Sequence, residues 1–213
     1  MGLRGWLLFA ALVAAGWWYS PLSPRVPAPA APAAGVAIEC PPPPRVVRGG
    51  APLQSPVPAS LAAFRLEAAE LRPLAGFSID ARVLSREDYL AGRESELSPT
   101  DLALGWDRMR EAPVLERLDI SQSRRWYHYR WQGEPPLPPA EIARSSANMH
   151  MIPADRAVAA ALARIGEGDR VRIDGWLVEA VAPDGWRWRS STSRDDTGGG
   201  ACELVYVCAI TPE

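Results

Sequence analysis

Between residues 168 and 209 three strand-like runs follow one another, separated by Gly-rich or charged turns, so the C-terminal end of this chain must build a sheet. The runs cover residues 171–180, 186–192 and 202–209. Period-two alternation in the first sets Val171, Ile173, Gly175, Leu177 and Glu179 on one face, against Arg172, Asp174, Trp176, Val178 and Ala180 on the other. Gly175 interrupts the more apolar face, and a glycine within a strand predicts a bulge or bend through which a small sheet coils toward a barrel. The second run opposes Trp186, Trp188 and Ser190 to Arg187, Arg189 and Ser191. The third opposes Cys202, Leu204, Tyr206 and Cys208 to Glu203, Val205 and Val207. A three-stranded meander is marginal alone, so earlier elements must complete it.

Earlier in the chain, Phe77, Ile79, Ala81 and Val83 alternate with Ser78, Asp80 and Arg82, which predicts a strand. Residues 61–71 fit a helix or a strand equally well. Residues 122–131 read as one strand with Arg125, Tyr127, Tyr129 and Trp131 on one face and Arg124, Trp126, His128 and Arg130 on the other. Ser85 with Asp88, and Ser98-Pro99 with Asp101, match helix starts, which predicts short helices over 87–91 and 99–104. Pro138 to Glu141 opens another short helix, residues 145–153 read as a loop, and 155–165 form a helix with Val158, Leu162 and Ile165 on one side. The expected class is α+β: a coiled antiparallel sheet or small OB-like barrel with inserted short helices, preceded by an N-terminal membrane helix.

That helix is expected from residues 5–19, an uncharged, largely apolar run preceded by Arg4. Ala14-Ala15-Gly16 offers a cleavage site, whereas Trp17, Trp18 and Tyr19 suit an interfacial belt, which favours an uncleaved inner-membrane anchor over secretion after cleavage. Residues 21–60 are dominated by Pro and Ala and predict a semi-rigid spacer. The expected organisation is therefore 1–20 signal anchor or signal peptide, 21–60 linker and 61–213 extracytoplasmic domain, placed in the periplasm on a single-pass anchor. Glu39 stands where a small residue would precede a lipidated cysteine, which argues against Cys40 as a lipoprotein site.

The net charge of −2 gives no general attraction for nucleic acid. The chain contains no lysine, which excludes Schiff-base chemistry, a P-loop and Ser-Lys dyads. With only His128 and His150 present, no His-rich metal site is available and no cofactor is expected. Asp196-Thr197-Gly198 matches the core of aspartic proteases, but Ser193-Arg194-Asp195 precede it in place of an apolar strand, and a turn is the better reading. Cys202 and Cys208 cannot pair along one extended strand, an odd cysteine count leaves one thiol over, and Cys208 is expected to be a packing residue. Arg187, Arg189 and Arg194 are expected to be neutralised by Asp184, Asp195 and Asp196.

The strings Ala81-Arg82-Val83-Leu84, Asp101-Leu102-Ala103-Leu104-Gly105-Trp106, Ser146-Ala147-Asn148-Met149-His150 and Gly185-Trp186-Arg187-Trp188-Arg189-Ser190-Ser191 together resemble an uncharacterised family of bacterial membrane-anchored envelope proteins. The resemblance runs over residues 77–207 and implies no activity. Separately, the pattern Gly-x-x-Val-x-Ile-x-Gly over 168–175 is similar to the opening strand of small OB-type barrels, and also to SH3-like ones. The expected function is non-enzymatic binding or assembly at the envelope, with an envelope protein or a glycan as partner. The side chains expected to carry it are Trp126, His128, Arg130, Asn148, His150, Trp186, Trp188, Arg189 and Arg194, since aromatics beside Arg suit flat or hydroxylated ligands. The alternative is an extracytoplasmic hydrolase using His150 with Ser146 or Cys202.

Overall fold

A computed structural model of the chain describes residues 3–18, 40–193 and 201–213. Strands β1 (Leu53–Ser55), β2 (Phe64–Arg65), β3 (Glu70–Asp88), β4 (Thr100–Gly105), β7 (Ser146–Pro153), β8 (Arg170–Val181), β9 (Arg187–Arg189) and β10 (Glu203–Pro212) form one eight-stranded sheet, and β5 (Asp119–Ser123) and β6 (Trp126–Arg130) a separate hairpin. Helices α1 (Leu3–Trp18), α2 (Ala112–Leu115), α3 (Pro139–Arg144) and α4 (Arg156–Leu162) complete the described elements, with short 3₁₀ turns at Arg93–Glu96 and Asp107–Arg110.

β3 organises the sheet. Its alternation puts Phe77, Ile79 and Ala81 inward, and two register shifts, at Pro73/Ala75 and Val83/Ser85, let its 19 residues coil. It pairs with β8 over residues 70–82 and with β4 over 82–88. Because β4 pairs β7, β7 pairs β10 and β10 pairs β8, the order β3-β4-β7-β10-β8 returns to β3 and closes a ring. Within it β7 and β10 run parallel, and the other pairs are antiparallel.

The ring is filled by Phe77, Ile79, Leu102, Leu104, Met149 and Ile173 with their neighbours, and α4 packs Val158 and Leu162 onto the same core. Each such side chain contributes about 1.5–3 kcal/mol by leaving water. As predicted, Val158, Leu162 and Ile165 share a buried side, and the Asp155 carboxylate caps α4 by accepting from the Val158 N–H at 2.8 Å. A second core outside the ring joins Phe64, Leu71, Trp176, Val178, Leu204 and Tyr206. Both faces of β8 and β10 are therefore covered, which accounts for the apolar residues on their two sides.

Several expectations are corrected. The three C-terminal strands exist but are not a simple meander: β3 occupies one edge of β8 along its length, so β10 and then β9 share the other edge. The strand that carries the 168–175 pattern is β8, which starts at Arg170 and is the fourth of the ring in chain order, not its opening strand. Residues 122–131 are a hairpin whose turn is Arg124-Arg125, because both have positive φ, 53° and 68°. The capping signals at 85–88 and 98–101 mislead: Ser85–Asp88 ends β3, and Leu102 and Leu104 draw 100–105 into a strand by burying in the ring. Residues 146–153 are a buried strand and no loop, with Met149 and Met151 inward and Asn148 and His150 outward. The ambiguous 61–71 segment contributes strands, β2 and the start of β3.

Of the stretch expected as a spacer, residues 21–39 lie outside the described residues, and the rest is built into the fold. From Cys40 onward it straps the outer face of β3 and β8. Trp176 Nε1 donates to the Pro41 carbonyl at 2.9 Å, Arg45 meets the buried Asp174 at 3.0 Å, and the Val46 N–H donates to Ser78 Oγ at 2.9 Å. β1 then pairs with Gly76–Ser78 of β3, at a place where a Cβ on Gly76 would stand 2.8 Å from Pro43 Cβ. Cys208 packs against the second core, as expected, but not as an inert thiol: it is the extra residue of the β10 bulge between Val207 and Ala209, and it forms a disulfide with Cys40 across a Cα separation of 5.2 Å. The bulge sits opposite Gly175, where a Cβ would run into the Tyr206 carbonyl, so the sequence signal of Gly175 is realised on the partner strand. No helix among the described residues is long and apolar enough to cross a membrane; α1 has 16 residues, roughly 24 Å of helix.

Candidate functional site

The outer face of β4 and β7 carries polar side chains by simple alternation. Leu102 and Leu104 point into the ring, so Asp101 points out; Met149 and Met151 point in, so Asn148 and His150 point out. The antiparallel register sets Asp101 opposite His150 and Ala103 opposite Asn148. The β5–β6 hairpin lies over this face and seals it. Asp101 is completely buried, and His150 and Asn148 are each 4% exposed.

Such a buried carboxylate must be satisfied. Arg125, at the tip of the hairpin, donates from Nη1 to Asp101 Oδ1 at 2.8 Å and from Nη2 to the Ser98 carbonyl at 2.8 Å. Its guanidinium also lies 4.0 Å from the Tyr89 ring centroid, and its backbone N–H donates to the Tyr89 hydroxyl at 2.8 Å. Asn148 Nδ2 donates to Asp101 Oδ2 at 3.2 Å and to the Arg125 carbonyl at 2.9 Å, while Gln122 donates to Asn148 Oδ1 at 2.6 Å. His150 Nδ1 stands 2.9 Å from Asp101 Oδ2, an ion-pair distance for a protonated ring, yet off the line of a good hydrogen bond. Its other nitrogen, Nε2, has no hydrogen bond among the described residues. The Trp188 ring lies 4.7 Å from the imidazole, centroid to centroid.

Two adjoining cavities open beside this cluster. One, of about 460 Å³, is lined by Tyr89, Glu94, Arg124, Arg125, Trp126 and His150, and by Trp188, Arg189 and Cys202. The other, of about 230 Å³, includes Trp106, Tyr127, Tyr129, Ser146 and Asn148 in its wall. Trp126 and Cys202 line both, so the pair forms one groove with Trp126 between its halves. Burial and the Asp101 charge hold the Tyr89 hydroxyl above its ordinary pKa, and burial pushes Tyr127 up to about 12. Both phenols therefore remain protonated donors at neutral pH.

Of the residues expected from sequence, Trp126, Asn148, His150, Trp188 and Arg189 meet at the groove. Trp186 stands behind Trp188 at 6.1 Å, under the Arg93 guanidinium. His128 faces Ser123 on the outer side of the hairpin, and Arg130 lines a separate cavity at its far end; neither reaches the groove. Arg194, Asp195 and Asp196 lie outside the described residues. The expected neutralisation also differs: Arg187 and Arg189 meet Glu179 at 3.5 and 3.6 Å, and Asp184 is held by Arg93. Ser146 does not serve His150, because it donates to the Ile142 carbonyl at 2.7 Å and lies four residues away, roughly 13 Å along the strand.

Asp101, Arg125 and Tyr89 were not foreseen. Asp101 carries a signal in the sequence, an acid directly before the apolar Leu102-Ala103-Leu104, but the capping pattern of Ser98-Pro99 masks it by favouring a helix start. Arg125 carried none, since its role depends on a turn that only the folded hairpin creates. Among the described residues no group of three or more potential ligands could hold a metal ion. No family model, no curated protein and no solved structure matches this chain.

Proposed function

We propose that the chain is an envelope-tethered binding module of OB type that holds an extended glycan in the groove beside Trp126. One observation carries this reading: Trp126, His150 and Trp188, from three segments far apart in sequence, converge on one groove together with Arg124 and Arg189. OB barrels bind oligosaccharides and oligonucleotides on the face of their second and third strands and on the loops after the first and fourth. Here the groove lies over β4 and β7, the second and third strands of the ring. Tyr89 and Glu94 come from the connection after β3, and Trp188, Arg189 and Cys202 from the connection after β8. The parallel β7–β10 pair that closes the ring supports the same architecture.

Indole faces stack on the apolar faces of sugar rings, and buried phenols and amides offer directed hydrogen bonds to hydroxyls. Of the lining arginines, Arg125 is paired with the buried Asp101 behind the wall and Arg189 with Glu179, which leaves Arg124 against Glu94, so a neutral polymer fits better than a polyanion. A periplasmic setting at the inner membrane is supported by the Cys40–Cys208 disulfide, which suits an oxidising compartment. It is supported too by α1, whose apolar side chains are exposed, Leu12 at 72%. Its roughly 24 Å is shorter than a ~30 Å hydrocarbon core, so the tether needs local thinning or flanking residues to span it.

The test is a titration of the full chain in detergent with short N-acetylglucosamine oligomers, read by tryptophan fluorescence. Saturable quenching is expected, weakened about tenfold or more in Trp126→Ala, as for loss of one stacked ring, and unchanged in His128→Ala. No response, or a response to single-stranded DNA alone, overturns the glycan reading.

A further inference from the structure

We propose that Cys202 is a reactive thiol, served by His150 as base and Asp101 as the residue that positions the ring, which attacks the carbonyl carbon of an acyl group on a ligand in the groove. This goes beyond binding and does not require that the ligand be a glycan.

The placement follows from the parallel pairing of β7 and β10. Leu204 is registered with His150 and Cys202 immediately precedes β10, two residues before Leu204, so strand spacing and rise set the two Cα atoms about 8 Å apart. Both side chains line the same cavity, and Cys202 is partly exposed to it. His150 is 4% exposed, has Asp101 behind Nδ1 at 2.9 Å, and has no hydrogen bond from Nε2 among the described residues. A carboxylate on one ring nitrogen and an uncommitted nitrogen on the other is the disposition of a general base. The other charged or titratable groups facing the pair are Tyr89 and Glu94 from the β3–β4 connection, Arg124 and Arg125 from the hairpin and Arg189 from β9, with Arg144 and Glu203 in the wall of the adjoining cavity that Cys202 shares. Of these, Arg124 and Arg189 can receive negative charge developing on a carbonyl oxygen.

In the step, the Cys202 thiol gives its proton to His150 Nε2 while sulfur bonds to the carbonyl carbon. The bond from that carbon to its alcohol or amine then breaks, and the leaving group takes the proton from Nε2. The resulting thioester is released by water, which passes a proton to His150 as it adds, and the thiolate recovers that proton as the acid departs. No redox partner is needed.

With Cys40 and Cys208 joined, alkylation of the native chain by iodoacetamide reports on Cys202. At about pH 6.5 the rate should exceed that of free cysteine about tenfold or more, since an ordinary thiol is nearly all protonated there. His150→Ala should lower it about tenfold. Asp101→Asn should move the inflection of the pH–rate profile up toward about 8.5, the ordinary thiol value, which a merely structural role would not do. 4-Nitrophenyl acetate should give a stoichiometric burst of nitrophenolate that Cys202→Ser abolishes. A wild-type profile centred near about 8.5 and insensitive to His150→Ala overturns the proposal. Fast alkylation without a burst overturns its acyl-transfer step. Should the substituted chains fail to fold, as judged by circular dichroism, the wild-type profile and burst alone decide it. Oligosaccharide quenching without a nitrophenolate burst overturns this proposal and leaves the binding reading standing, whereas a burst without quenching does the reverse.

Discussion

Arg125 donates to Asp101 at 2.8 Å from a backbone held at φ 68°, so a strained turn residue and a completely buried carboxylate hold each other in place. Its neighbour Arg124 shares the left-handed conformation at φ 53°, yet it is exposed and makes no hydrogen bond or ion pair among the described residues. Type I′ hairpin turns favour Asn and Gly at both positions. Glycine at 124 should therefore stabilise the fold by up to about 1 kcal/mol. Glycine at 125 relieves the same strain but leaves Asp101 without its guanidinium, and should destabilise by about 3–5 kcal/mol. Urea denaturation of Arg124→Gly and Arg125→Gly checks the opposite signs; equal effects would show that Asp101 does not depend on Arg125.

The Cys40–Cys208 disulfide closes a loop with a sequence separation of 168 and ties the strap to the β10 bulge. On chain-entropy grounds a loop of that length contributes about 5 kcal/mol, and removal of native disulfides commonly costs about 2–5 kcal/mol. Cys208→Ser should lower stability by that range, and the melting temperature of the wild type should fall in the presence of a reductant. A melting curve indifferent to reductant would refute the coupling.

Tyr206 and Tyr127 supply a dependence on alkaline pH. Burial pushes both up to about 12, above an unfolded value near 10. The folded state thus holds these protons more tightly than the unfolded state. The stabilisation is complete below about pH 10 and is lost as pH rises toward about 12, at most about 3 kcal/mol for the fully buried Tyr206. Absorbance at tyrosinate wavelengths should show Tyr127 and Tyr206 titrating late, together with Tyr89 and Tyr129, which burial also raises, with unfolding accompanying them. Tyr206→Phe should make the alkaline transition shallower.

Gly175 is required by contact, since any Cβ there meets the Tyr206 carbonyl on the neighbouring strand. Gly175→Ala should cost about 2–3 kcal/mol or more, because a backbone atom must move and the adjacent bulge cannot relax freely beside its disulfide. Gly185→Ala is the comparison: it has a positive φ of 88° but open space, so its cost should stay near 1 kcal/mol. The ratio of the two in a thermal melt tests whether close approach, or turn conformation alone, sets the requirement.

Alternation of side chains along residues 77–83, 171–180 and 202–209 was enough, by itself, to determine that these stretches are strands and which residues share a face, because that period belongs to the backbone pleat. It also located Gly175, the capped helix before the last strands, and the tryptophans and histidine that line the groove. Pairing partners and turns escaped it. Whether Ser98-Pro99-x-Asp101 starts a helix or a strand is decided by whether Leu102 and Leu104 find a ring to fill, and the Arg124-Arg125 turn is tolerated only because Asp101 lies beneath it. Cys40 meets Cys208, and Asp101 meets His150, through ring closure, which joins residues far apart in the chain and leaves no trace in local spacing.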